Sequence, residues 1–155
     1  MSRSLPEARE AFIAAIKQDT PGTDLPRLVA VLDALIAWSV ARPDQLSFRT
    51  DAGRTQVVAF EHAGTKTMFW SAQVTRGTGP RLEIHTPTGG SFGEEERAMI
   101  MDTLNAHSRA ELMEGDRLRI VFGALKNEAA RAAVLALMER LLVGSRQTAS
   151  SPSSA

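Results

Sequence analysis

Polar and apolar residues alternate strictly in two short runs, Arg81-Leu82-Glu83-Ile84-His85 and Arg117-Leu118-Arg119-Ile120. Ser47-Phe48-Arg49 alternates more weakly, and Met68-Phe69-Trp70 places bulky groups on both sides. Successive side chains of a strand point to opposite faces, so these runs predict one sheet with a buried face and a largely solvated one. Between Gln45 and Thr86 the pattern gives four strands: Leu46–Arg49, Thr55–His62, Lys66–Val74 and Arg81–His85. Thr50-Asp51-Ala52-Gly53, Ala63-Gly64 and the loop Arg76-Gly77-Thr78-Gly79-Pro80 separate them, as in an antiparallel meander. A fifth strand fits Arg117–Phe122, and residues 107–116 read as a loop with a short extended piece.

Helical spacing flanks this block. Ser4 with Glu7 forms a capping box, and Ala8, Phe12, Ile13 and Ile16 make one apolar stripe, ended by Asp19-Thr20-Pro21-Gly22. A second helix fits Leu25–Ala41, capped by Thr23 or Asp24. It carries two stripes, Leu25/Leu28/Leu32/Leu35/Ser39 and Val31/Ala34/Trp38, where a surface helix needs one. The helix is therefore either sandwiched within the chain or exposes Val31 and Trp38 as a subunit interface. Ser91 and Glu94 repeat the capping spacing ahead of a third helix with Met99, Ile100, Thr103 and Leu104 buried; Glu94-Glu95-Glu96 complement its dipole. The last helix runs from Asn127, its cap, to Val143.

The order ααββββαβα predicts an α+β fold: two layers, a mostly antiparallel five-stranded sheet, and helices packed on one face. The helix-containing crossover between the fourth and fifth strands makes a parallel pairing reasonable there. Residues 1–143 form a single domain, and the serine-rich 144–155 a disordered tail.

With 155 residues the chain can bury roughly 70% of its unfolded surface in one core. Eighteen residues of each sign cancel, which argues against nucleic acid or an anionic membrane as a partner. The charge is uneven, however. Residues 91–116 hold seven acidic and two basic groups, a net of −5, and residues 117–146 hold six basic and two acidic, a net of +4. These regions can meet within the domain or across a symmetric dimer. The chain has no cysteine, which removes disulfides, thiolate nucleophiles and thiolate zinc sites. Leu28–Ala41, the longest apolar stretch, is too short to span a bilayer, and a soluble, cytoplasmic protein is expected.

Catalytic chemistry is thin. Tyrosine is absent too, and no GxSxG, HExxH, Walker or GxGxxG pattern occurs. Glu83 and His85 share a strand face and can form a dyad, but no nucleophile accompanies them. With His62 they are also the nearest approach to a metal site, which the intervening strand argues against; no metal and no cofactor is expected. If Trp70 points inward, Phe69 points outward among Arg49, Arg81, His85, Arg117 and Arg119. Such an aromatic platform ringed by guanidinium groups stacks a base or accepts a carboxylate-bearing peptide. Otherwise Phe69 is capped, and the arginines pair with Glu83 and Glu61. The expected function is a non-enzymatic binding or regulatory module working through protein–protein contacts, as a homodimer or with another protein. Nucleic-acid binding around Phe69 and a His85/Glu83 enzyme are the alternatives.

Overall fold

The computed structural model describes residues 4–18, 22–49, 56–75, 79–85, 94, 95, 98, 102, 110–113 and 117–150. Helix α1 (Leu5–Lys17) begins as its capping box requires. The Glu7 amide donates to Ser4 Oγ at 3.3 Å, and the Ser4 amide donates to Glu7 Oε1 at 3.0 Å. Ser4→Ala removes one of these bonds and should cost about 1 kcal/mol in urea denaturation. An unchanged midpoint would mean that this helix end frays without consequence.

Helix α2 (Leu25–Val40) starts without a side-chain cap. Asp24 accepts backbone bonds through its own carbonyl, while its carboxylate lies 3.6 Å from Lys126. Asp33, the one charge inside the apolar run, is gripped by Arg9 of α1: Nε donates to Oδ1 at 2.7 Å and Nη2 to Oδ2 at 3.1 Å. That bond, reinforced by the charge, raises the Arg9 pKa further above its already high ordinary value.

Six strands form one sheet: β1 (Leu46–Phe48), β2 (Gln56–His62), β3 (Met68–Thr75), β4 (Gly79–His85), β5 (Ala110–Met113) and β6 (Arg117–Val121). Their spatial order is β1-β2-β3-β4-β6-β5 and every pairing is antiparallel. The α+β class and the helix-covered sheet are as the alternation implies, and β5 adds an edge strand where only a short extended piece is legible. The parallel pairing expected after the crossover does not form, because β5 and β6 make a hairpin and β6 slots in beside β4. Since β6 opposes both neighbours, β4 and β5 run in the same direction with β6 between them. The crossover thus joins two parallel strands that are one place apart.

A 3-10 turn (η1, Phe122–Lys126) leads from β6 to the last helix, α3 (Glu128–Ser150). Asn127 caps α3 as expected, its Oδ1 accepting from the Ala130 amide at 3.1 Å. The helix continues past Val143 into the serine-rich segment expected to be disordered, as far as Ser150. Of the third expected helix, Glu94, Glu95, Ala98 and Asp102 are helical and exposed; its apolar stripe of Met99, Ile100, Thr103 and Leu104 lies outside the described residues.

The core lies between the sheet and the helices. Phe12 of α1 meets Phe122 of η1 at 5.3 Å, and Phe60 of β2 stacks on Trp70 of β3 at 5.3 Å. Trp70 reaches α2 through its indole nitrogen, which donates to Ser39 Oγ at 2.7 Å; that hydroxyl donates in turn to the Leu35 carbonyl at 2.9 Å. A buried indole N–H needs such a partner. Both stripes of α2 are used inside the chain. Leu28, Leu32, Leu35 and Ser39 are buried together with Val31, because α2 touches α1, β1, η1 and α3. The expectation that Val31 and Trp38 form a subunit interface is corrected accordingly. Val31 has no exposed surface, and Trp38 is half-buried against Phe69 and beneath the Arg42 guanidinium.

Candidate functional site: the charged face of the sheet

Register assigns the face that points away from the helices. Ala59, Ser71, Glu83 and Arg119 stand side by side across β2, β3, β4 and β6, with Glu111 of β5 next in register. The neighbouring row brings Gln73, Arg81 and Val121 together, and His85 pairs with Arg117 on the other side. Three of the expected binding residues, Arg81, His85 and Arg119, therefore share this face, and Arg117 is the register partner of His85. Arg49 joins it at the β1 side, its amide bonded to the Ala59 carbonyl and its guanidinium 4.0 Å from Glu61.

Phe69 does not join it. The β2–β3 pairing shifts between Phe60↔Trp70 and Glu61↔Met68, so Phe69 is the extra residue of a β-bulge. Two residues of a bulged strand oppose one partner, and the inside–outside alternation slips by one position. Phe69 and Trp70 both turn towards the helices and are fully buried, whereas Met68 stands opposite Glu61. Phe69 stacks on Trp38 at 6.1 Å and packs in a T-shaped arrangement with His62 at 5.1 Å. The outward aromatic platform is thereby corrected. The signal for a bulge was present in the uninterrupted Met-Phe-Trp run, which no regular half-wet strand needs.

The middle of the charged face is drier than alternation alone suggests. Ala59 and Ser71 have no exposed surface, and Glu83 keeps 2%. A carboxylate so withdrawn from water requires compensation. Arg119 supplies part of it, Nη2 donating to Glu83 Oε2 at 3.3 Å, and His85 Nε2 lies 3.2 Å from Oε1. The His85 approach is a close contact, not an aligned hydrogen bond. Ser71 Oγ accepts from Gln73 Nε2 at 3.3 Å. At the β1 side Glu61 sits between Arg49 and Lys66, the latter 3.9 Å away. Arg49 and Arg119 are thus engaged by the two glutamates.

Two cationic atoms stand apart. Arg81 Nε and Arg119 Nε are shielded from water and have no hydrogen-bond partner among the described residues. Beside them Val121, directly across from Arg81, is 40% exposed. A guanidinium donor left unpaired in a shielded position carries a free-energy cost.

His62, the third member of the metal trio weighed above, lies on the opposite, helix-covered face beside Phe69, so it cannot converge with Glu83 and His85. Among the described residues no three His, Asp or Glu side chains are grouped to hold a metal ion. Nor is any described helix long and apolar enough to cross a membrane. No family model, no curated protein and no solved structure matches this chain.

Proposed function

We propose that the chain is a non-enzymatic binding module whose contact surface is the Gln73–Arg81–Val121 end of the charged face, together with Arg119, and whose partner is an acidic protein segment. The observation that carries this reading is the pair of shielded, unpartnered Nε donors beside an exposed valine. A peptide carboxylate accepts from a guanidinium fork, and an adjoining aliphatic group can cover Val121. A second copy of the chain would supply acidic groups from residues 91–116, whose net charge is −5. The homodimer is therefore one form of the same reading.

The other two readings have less support. Nucleic acid read through base stacking would need the aromatic platform that the bulge withdraws from the face. A His85/Glu83 enzyme has its two groups in contact, but Arg119 already engages the carboxylate, and the neighbouring hydroxyl, Ser71, is fully buried.

The test is titration of the whole protein with poly-L-glutamate and, separately, with oligouridylate, at low and at physiological salt. Saturable, salt-weakened binding of polyglutamate is expected, with Arg81→Ala lowering affinity about tenfold, the worth of one charge-assisted hydrogen bond. Stability should change by no more than about 0.5 kcal/mol, because Arg81 Nε has no partner to lose. Binding of oligouridylate as tight as that of polyglutamate, or an Arg81→Ala variant that binds undiminished, would overturn the reading.

A further inference from the structure

His62 closes a corner of the fold. Its amide donates to the Thr67 carbonyl at 2.8 Å, and its carbonyl accepts from the Lys66 amide at 2.8 Å. Both bonds pin the β2–β3 turn, in which Lys66 adopts a left-handed φ of 62°. The next amide, Ala63, donates to the Gln45 carbonyl and ties this turn to the start of β1. The residue is 7% exposed, and its imidazole packs on the helix-covered side against Phe69. Beyond Phe69 the stack continues through Trp38 to Arg42, whose guanidinium lies 4.2 Å from the Trp38 ring centre and is bonded to Glu139 of α3. One line of rings therefore runs from the β2–β3 hairpin under the end of α2 to α3.

We propose that His62 is an acid-sensitive latch: while neutral it holds the Trp38 end of α2 on the sheet, and its protonation releases that end and uncovers Trp38 and Phe69. Nε2 is shielded from water and has no hydrogen-bond partner among the described residues. A proton there would create a buried charge with no hydrogen-bond acceptor, beside the apolar ring of Phe69. The surroundings do not offset it. Just past the end of α2 comes a cation, Arg42, already paired with Glu139; from the turn comes another, Lys66, 3.9 Å from Glu61 on the opposite face. β1 and β3 bring Leu46 and Phe69 to it, and Asp44, between α2 and β1, is exposed. Among the described residues no carboxylate forms an ion pair with His62.

Burial lowers the His62 pKa below its ordinary value, which fixes the direction of the response. Above about pH 6.5 the imidazole is neutral in both the closed and the released states, and the seam is indifferent to pH. Below it the released state takes up the proton first, so the closed seam loses stability progressively as pH falls towards the lowered value.

The test follows acrylamide quenching of tryptophan and the far-UV circular dichroism of the full chain from about pH 7.5 to about pH 5, the range in which histidine changes charge. Quenching should rise with a midpoint below about pH 6.5 while helix content holds, since only the seam opens. His62→Phe should lose that transition, and His85→Gln should keep it. Quenching that stays flat in the parent protein, the same rise in His62→Phe, or helix loss in step with the quenching would each overturn the proposal. Should His62→Phe fail to fold, proton NMR of the parent decides: the His62 ring and the Trp38 indole N–H must shift together with pH. Titration of the imidazole with a stationary indole signal would refute the latch.

Discussion

Phe69→Ala should destabilise the protein by about 3–5 kcal/mol in equilibrium urea unfolding, the cost of emptying a fully buried aromatic site. The ring touches both Trp38 and His62, so the cavity opens in the seam between α2 and the sheet, not at the surface. An outward phenylalanine on a wet strand face would give a change within about 0.5 kcal/mol. The two values are far enough apart for one denaturation curve to separate them. A near-zero effect would mean that the bulge does not exist and that β3 alternates regularly. Loss of this much stability also warns against reading any binding defect of the Phe69 variant as loss of a contact.

Glu83→Ala should be of similar size, about 3–5 kcal/mol, for a different reason. Removing the carboxylate strands the Arg119 guanidinium, three-quarters of whose side chain is shielded and whose Nε already lacks a partner. The cost is then that of an uncompensated charge and exceeds the worth of the lost bond. Combining it with Arg119→Leu should recover part of the loss, because the stranded cation goes too, leaving a coupling of about 0.5–3 kcal/mol between the sites. Strictly additive effects in that cycle would show that the two side chains do not depend on each other. Thermal unfolding followed by circular dichroism is sufficient to measure all three variants.

Much of the scaffold could be read from local chemistry. Ser4 with Glu7, and Asn127 ahead of Glu128, mark helix starts because their side chains satisfy amides that have no partner within the helix. Strands β2, β3, β4 and β6 follow from alternation and glycine-containing turns. What escaped was non-local. The bulge at Phe69 depends on how β2 and β3 register along their whole length, and a slip of one residue exchanges Met68 and Phe69 between faces. The wide apolar arc of α2 has two physical outlets, and only the arrival of η1 and α3 from the far end of the chain decides between them. On the charged face, pairing of the arginines with Glu61 and Glu83 is one of the outcomes the sequence offers, and only which arginine meets which glutamate is left to cross-strand position. The antiparallel direction of the β6–β4 pairing, expected parallel, could not be read, since it is set by a hairpin partner whose four residues barely alternate.

The late insertion of β6 has a consequence for how the chain is made. When residues 1–85 have left the ribosome, β4 has β3 on one flank and nothing on the other, because its second neighbour is encoded after residue 116. Until then a strand with Leu82 and Ile84 on one side offers bare amides and carbonyls to any passing chain. In that interval a second β4 paired in antiparallel register around Glu83 would set one glutamate against the other, a repulsion that disfavours such pairing. The residue that later becomes the buried partner of Arg119 would thus first serve to keep nascent copies apart.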